Sequence, residues 1–481
     1  MTAAQAPGPG GALGGARPGA ATELTRAIRL PHATAMVVGT IIGASIFVQP
    51  SEITGQVPTT LGIYSVWLVS GLLTLFGALV CAELASAYPE SGGVYVYLRE
   101  AYSPALGFLW GWAMFWTMHS GIIAAIAVVC ARYVGFFVDL GGGGQRAVAV
   151  AVILVLSAVN YVGVRQGSVL QTAITAGKLL AIGAIILLGF AFGGEAHEGV
   201  AAAGAPGGVG AAGAGGAADS AAGAAGAAIT AGDFSLALVA GLFAFGGWHM
   251  VTYNAEETHE PRTTIPRALV IGTLIVTACY ILLNAVYLYV LPMDVVASSD
   301  RVAADAADAV FGRGGGTAMS ALVVFSTFGA LSGIILAGPR VYFAMARDGL
   351  LFRWLGEVHP RRRTPHRAIV LQAVWSSVLV LTGTYRALFT RVIYTEWIFF
   401  GLMAIGLILL RRRPAVSRDY GVPGYPWVPL LFAGSAFAIV ANQIATTPVD
   451  SAIGLGMVVI GLPVYLLWAR RPAVDGGHRR G

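Results

Sequence analysis

Gly39-Thr40-Ile41-Ile42-Gly43-Ala44-Ser45-Ile46-Phe47-Val48 lies in the middle of the first long apolar run of the chain, and Gly241-Leu242-Phe243-Ala244-Phe245-Gly246-Gly247-Trp248 in the middle of the sixth. Each is an apolar helical pattern interrupted near its centre by glycine and small residues. Lipid cannot hydrogen-bond to a freed backbone group, so an interruption at that depth is tolerated only against protein or a polar cavity. Paired interruptions at matching places in two halves of a chain mark the mid-depth ligand site of a transporter. Close helix packing also recruits glycine and accounts equally well for either set alone. The matched placement favours the site.

Working outward, hydrophobic residues form 57% of the 481-residue chain and charged residues 11%, where a soluble domain carries about a quarter charged. Apolar runs of about twenty residues recur, each long enough to cross a hydrocarbon core of about 30 Å. Twelve spans are expected, at 33–54, 61–82, 106–129, 147–164, 168–192, 234–255, 268–291, 317–338, 368–385, 392–410, 427–444 and 452–469. The fold class is an all-α polytopic membrane protein with twelve transmembrane helices; the alternating ten-residue segments of a β-barrel are absent. With the N-terminus inside, 22 arginines fall in cytoplasmic segments and 6 on the opposite face. That bias puts both termini in the cytoplasm; the expected location is the cell inner (cytoplasmic) membrane.

The net charge of +6 comes from these loop arginines, so nucleic acid is not an expected partner. Cys81, Cys130 and Cys279 all fall in apolar runs, which leaves no external disulfide framework. The expected organisation is a disordered cytoplasmic tail (1–29), a first block of five spans (30–192), a flexible Gly/Ala-rich outer loop (193–232), a second block (233–413), two further spans (414–470) and a short cytoplasmic tail (471–481). The stretch 292–316, with spaced alanines and four aspartates, suits a short surface helix on the outer face.

Lys178 is the only lysine of the chain and lies well inside the fifth apolar run. A cation that deep is a functional-site signal, although a long lysine stem can also snorkel to the interface. At the breaks, freed N–H groups near Gly43, Ala44 and Ser45 suit a carboxylate, and freed carbonyls from Phe243 to Gly246 suit an ammonium. Together they form a receptor for an α-amino acid, with Ile42 and Ile46 flanking the first break. No acid stands at either break, so a neutral L-amino acid is expected; Glu396, in the outer part of span 10, is the one residue that reopens a cationic substrate. No metal-ligand motif, cofactor signature or catalytic constellation is evident, which argues against an enzyme.

Several strings, in order, resemble the amino acid–polyamine–organocation transporter superfamily, with the L-type amino acid transporter family the nearest match. They are Gly39 to Phe47 with Pro50; Ala82-Glu83-Leu84 with Ser91-Gly92-Gly93, Gly107 and Gly111-Trp112; Phe243 to Trp248 through Glu256-Glu257, Pro261 and Ile265-Pro266-Arg267-Ala268; Gly338-Pro339-Arg340-Val341-Tyr342 with Ala344 to Gly349; and Arg411 to Arg413 with Pro423-Gly424-Tyr425-Pro426. The resemblance implies two inverted five-helix repeats plus two C-terminal helices, and sodium-independent amino acid transport by alternating access, commonly as exchange. It implies that the span 1 break holds the substrate carboxylate, the span 6 break its amino group, and Phe243 the outer closure. Lys178 matches a family lysine standing where sodium-coupled relatives bind a cation, and Tyr280 is a weaker candidate to bond with it.

The chain departs from the family pattern in places. Ser45 replaces a glycine and either narrows the pocket or adds its hydroxyl. His249 replaces a frequent asparagine and either titrates, making transport pH-dependent, or packs as a neutral ring. Residues 139–145, between spans 3 and 4, lack the cysteine by which eukaryotic members join a glycoprotein heavy chain, so no disulfide-linked partner is expected. The partners that remain are the amino acid substrate and the lipid bilayer. A proton-coupled symporter, or a carrier of cationic amino acids or polyamines, is the competing reading. Glu83, Glu256 and Glu257 fall at inner helix ends, where Arg340 or Arg347 can pair with them.

Overall fold

A computed structural model describes residues 26–43, 45–162, 164–203, 229–383, 385–413, 419–446 and 448–469. The described residues are helical almost throughout. Nine helical segments among them are long and apolar enough to cross a membrane, and two shorter apolar helices cover 366–382 and 451–467. The protein is therefore a multi-pass, all-α membrane protein.

The first span is three pieces: α1 (Leu30–Ile41), a 3₁₀ turn (Ser45–Phe47) and α2 (Gln49–Gln56). Then come α3 (Thr60–Ala87), the short α4 (Val94–Ala101), α5 (Pro104–Trp116), α6 (Met118–Val134), α7 (Gly142–Val162) and α8 (Val164–Ala203). The sixth span is α9 (Ala231–Ala244) followed by a 3₁₀ segment, Trp248–Glu257. Beyond it lie α10 (Pro261–Val290), the small α11 (Met293–Ser298) and α12 (Val302–Phe311), α13 (Arg313–Arg347), α14 (His366–Thr382), α15 (Tyr385–Arg411), α16 (Trp427–Thr446) and α17 (Pro448–Ala469).

Packing sorts these elements into two groups. In the first, α10 lies along α3 and α1; in the second, α13 lies along α6 and α7, and α14 along α7 and α6. The α8 helix touches both groups, through α1 and α10 on one side and α13 on the other. A residue on its inner face can therefore reach a backbone group of the broken first span.

Three local outcomes differ from expectation. The Gly/Ala connection does not become a loop at 193: α8 continues to Ala203; residues 204–228 are outside the described set. The tail expected to be loose as far as 29 is paired at its end, where the amides of Ala27 and Ile28 donate to the Glu257 carbonyl (2.9 and 3.0 Å) and His259 donates to that of Ile28 (2.8 Å). Finally, the third span breaks between α5 and α6, where Thr117 leaves the helical region and bonds its own hydroxyl to the Ala113 carbonyl at 2.9 Å.

Candidate functional site

The first break begins where α1 runs out of helical backbone. Ile42 turns to φ −71°, ψ 82°, its amide still bonding to Val38 at 2.8 Å, and the Gly43 amide closes tightly onto the Ile41 carbonyl at 2.7 Å. This geometry points the carbonyls of Gly39, Ile41 and Ile42 away from any helical partner. Lys178, 1% exposed, answers two of them: its Nζ donates to Ile42 at 2.8 Å and to Gly39 at 3.2 Å. The lysine does not snorkel.

Tyr280 of α10 addresses the third. Its hydroxyl stands 3.0 Å from the Ile41 carbonyl and 2.9 Å from that of Ala244, the last residue of α9. One phenol thus joins the two broken spans, rather than bonding with Lys178. Beyond Ala244, the amide of Gly246 bonds to the Phe243 carbonyl at 2.9 Å. Gly247 sits at φ +94°, a conformation that disfavours any side chain.

Of the residues expected to line the substrate site, Ser45 and Ile46 are buried in the 3₁₀ turn just past the first break, and Phe243 and Ala244 are buried at the end of α9. Gly43 faces α13: a side chain there would meet the Cβ of Ala330 at 3.4 Å. Ala44 lies outside the described residues. Phe245 sends its ring between α3 and α10, with centroids 6.5 Å from Trp67 and 5.0 Å from Tyr280, so it braces the break from behind. His249 sits in a cage of rings from Trp110, Trp248, Tyr253 and Phe400, the nearest centroid 4.8 Å away. Glu396 is 4% exposed on α15.

At the arginine-rich end of the bundle, charged residues hold several elements together. Glu257 and Arg340 pair at 3.2 Å with both side chains buried, while Glu256 and Arg347 pair at 3.2 Å near the surface. Glu83 takes a different partner from either arginine considered for it: it accepts from Arg411 Nε and from the Val422 amide, both at 2.7 Å. Asp348 accepts from Arg99 and from the Tyr95 hydroxyl. Burial, with the Asp348 carboxylate beside it, raises the Tyr95 phenol above its ordinary value. A cavity of about 870 Å³ opens among Glu90, Arg99, Glu256, Arg347 and Asp348.

Two residues escaped sequence reasoning altogether. Pro339 inside α13 has no N–H to give the Ile335 carbonyl one turn back. Gln372 of α14 donates to that carbonyl at 3.4 Å, and His119 of α6 meets the neighbouring Ile334 carbonyl at 2.8 Å. Gly338 makes room for both, since a Cβ there would fall 2.2 Å from the Gln372 oxygen and 2.4 Å from the His119 ring. The Gly338-Pro339 pair was the available signal.

A many-helix membrane bundle with two interrupted spans, a buried lysine of α8 donating to carbonyls of the first and a tyrosine joining both, defines a membrane transporter of the permease class. The chain belongs to the amino acid permease family, whose model matches residues 28–467, and as a member it transports amino acids across a membrane and is not an enzyme. It is 31% identical over 454 residues to the serine/threonine exchanger SteT of Bacillus subtilis, covering 94% of this chain and 98% of that one. It is 30% identical over 453 residues to the human b(0,+)-type amino acid transporter 1, covering 93% and 88%. With the human cystine/glutamate transporter it shares 28% identity over 464 residues, covering 94% and 87%.

Proposed function

We propose that this permease exchanges neutral L-amino acids across the cytoplasmic membrane without sodium, in the manner of the L-type branch, by alternating access. The substrate carboxylate sits on the amides that open the second half of span 1, around Gly43 to Ile46, and the ammonium on carbonyls at the end of α9, around Phe243 to Gly246. Lys178 is a fixed internal cation that keeps the broken helix in its binding shape, and Phe243 closes the site. The observation that carries this reading is the pair of hydrogen bonds from Lys178 Nζ to Gly39 and Ile42: a carried sodium ion would be held by such carbonyls, and an immobile ammonium already occupies them. Twelve spans in two inverted five-helix repeats, with both termini cytoplasmic, complete the picture; a broken helix opening each block supports it. Exchange is supported by the likeness to a serine/threonine exchanger.

A second reading is a proton-coupled symporter or a carrier of cationic amino acids. It is favoured by Glu396, a buried carboxyl near the span 6 segment, and by relatives whose names span serine/threonine, b(0,+)-type and cystine/glutamate transport. The deciding experiment is uptake of a panel of labelled amino acids into proteoliposomes, with and without internal amino acid and with sodium or choline outside. Strong trans-stimulation by neutral amino acids that survives choline is expected. Uptake that collapses in choline would overturn the role given to Lys178, and equal uptake into empty vesicles would rule out obligatory exchange.

A further inference from the structure

Glu396 stands one helical turn before Phe400 on α15, and the Phe400 ring packs on Trp248 (5.1 Å) and His249 (4.8 Å), immediately beyond the span 6 break. Residues four apart share a helix face, so Glu396 looks toward the same segment. Fifteen residues of α15 separate it from Arg411, about 22 Å of helix at 1.5 Å per residue. Since Arg411 is anchored to Glu83 at the arginine-rich end, Glu396 lies inside the hydrocarbon layer.

The other acids buried in this bundle have firm partners: Glu83 has Arg411 and the Val422 amide, and Glu257 has Arg340. Glu396 has neither ion pair nor hydrogen bond among the described residues, and its neighbours Trp397, Phe399 and Phe400 are buried rings. Tyr253 lies within electrostatic range of it. Cys81 and Tyr97 adjoin Tyr253, and the His249 ring packs on Phe400 one turn along α15. The Tyr253 hydroxyl is itself buried without a hydrogen-bond partner among the described residues. Three residues further along the same 3₁₀ segment, Glu256 lines the 870 Å³ cavity.

A lone carboxylate at this depth is costly unless a positive charge accompanies it. A substrate ammonium or guanidinium would bring that charge, but it carries three to five donors that need acceptors, of which the Tyr253 hydroxyl offers one and the rings of Trp397, Phe399 and Phe400 none. A proton needs no further acceptor. The geometry points to Glu396 as a proton-carrying site coupled to transport. The carboxylate takes up one proton from water on the side on which substrate enters and gives it up to water on the other side once the site opens there. One proton then accompanies each neutral amino acid, and the carboxylate returns unprotonated. This inference rests on the transport reading above and turns toward the second of its two forms.

The test uses the full-length protein in proteoliposomes with a trapped pH-sensitive dye and labelled L-serine, or whichever neutral amino acid of the panel shows the strongest counterflow. For the wild type, uptake should acidify the lumen in step with the label, and an acid exterior should raise the initial rate severalfold. In Glu396→Gln the acidification should vanish and uptake should cease to follow the imposed pH difference. In Glu396→Asp the coupling should persist with a displaced pH profile. Wild-type uptake with no proton movement overturns the proposal, whatever the variants do, and so does acidification that survives in Glu396→Gln at equal membrane abundance. If Glu396→Gln instead removes only uptake of lysine or arginine, the residue is a counter-charge for a cationic substrate and the proton role is wrong. Loss of labelled counterflow in the wild type would be a failure of the transport reading, distinct from all of these.

Discussion

Replacing Lys178 with methionine keeps most of the side chain's volume and removes its donor. The structure sets the size of the effect. Nζ serves two buried carbonyls, Ile42 at 2.8 Å and Gly39 at 3.2 Å, and no helical partner waits for either once the ammonium is gone. A buried acceptor left unsatisfied costs about 1–3 kcal/mol, so the substitution disfavours this shape of span 1 by about 2–6 kcal/mol. The lower figure is already about a 30-fold change in an equilibrium constant. On the proposed site the same segment receives the substrate carboxylate, so the penalty should fall on substrate affinity: KM for counterflow should rise by about 30-fold or more while the protein still reaches the membrane. Lys178→Ala should do at least as much, since it also leaves a cavity. The assay is counterflow of a labelled neutral amino acid with abundance measured in the same vesicles. A Lys178→Met protein at normal abundance with KM unchanged would refute the reasoning, because the two carbonyls would then be indifferent to their donor.

Tyr280→Phe deletes a single O–H shared between Ile41 and Ala244, a net loss of about 1 kcal/mol and hence about fivefold in KM; combined with Lys178→Met it should show clear non-additivity, because the two side chains grip adjacent residues of one segment. Arg340→Met strands the buried Glu257 carboxylate and should lower stability by about 3–5 kcal/mol, seen as a large drop in the thermal midpoint of detergent-solubilised protein, whereas Glu257→Leu combined with Arg340→Met should recover much of it. An Arg340→Met protein as heat-stable as the wild type would show that the pair is dispensable.

The features legible in the sequence are those in which a backbone group loses its partner locally. Glycine at Gly43 and at Gly246-Gly247 announced two breaks, and a single lysine among apolar residues announced a cation that had to be placed somewhere. What stayed hidden is the identity of the side chain that answers. Successive residues of a helix point about 100° apart, so a register uncertain by one position cannot say whether Tyr280 meets Lys178 or, as it does, Ile41 and Ala244. Pro339 shows the same division: its missing N–H is plain in the sequence, but Gln372 and His119, which meet carbonyls beside the gap, come from α14 and α6, and only packing brings them there. The break at Thr117 had no glycine or proline to betray it. Glu396 is the reverse case, since a buried acid is visible in sequence while the lack of a partner is visible only in the fold. The residues hardest to read are therefore those through which one span acts on another. In this bundle they include Lys178 and Tyr280, whose side chains donate from α8 and α10 to carbonyls of the broken spans.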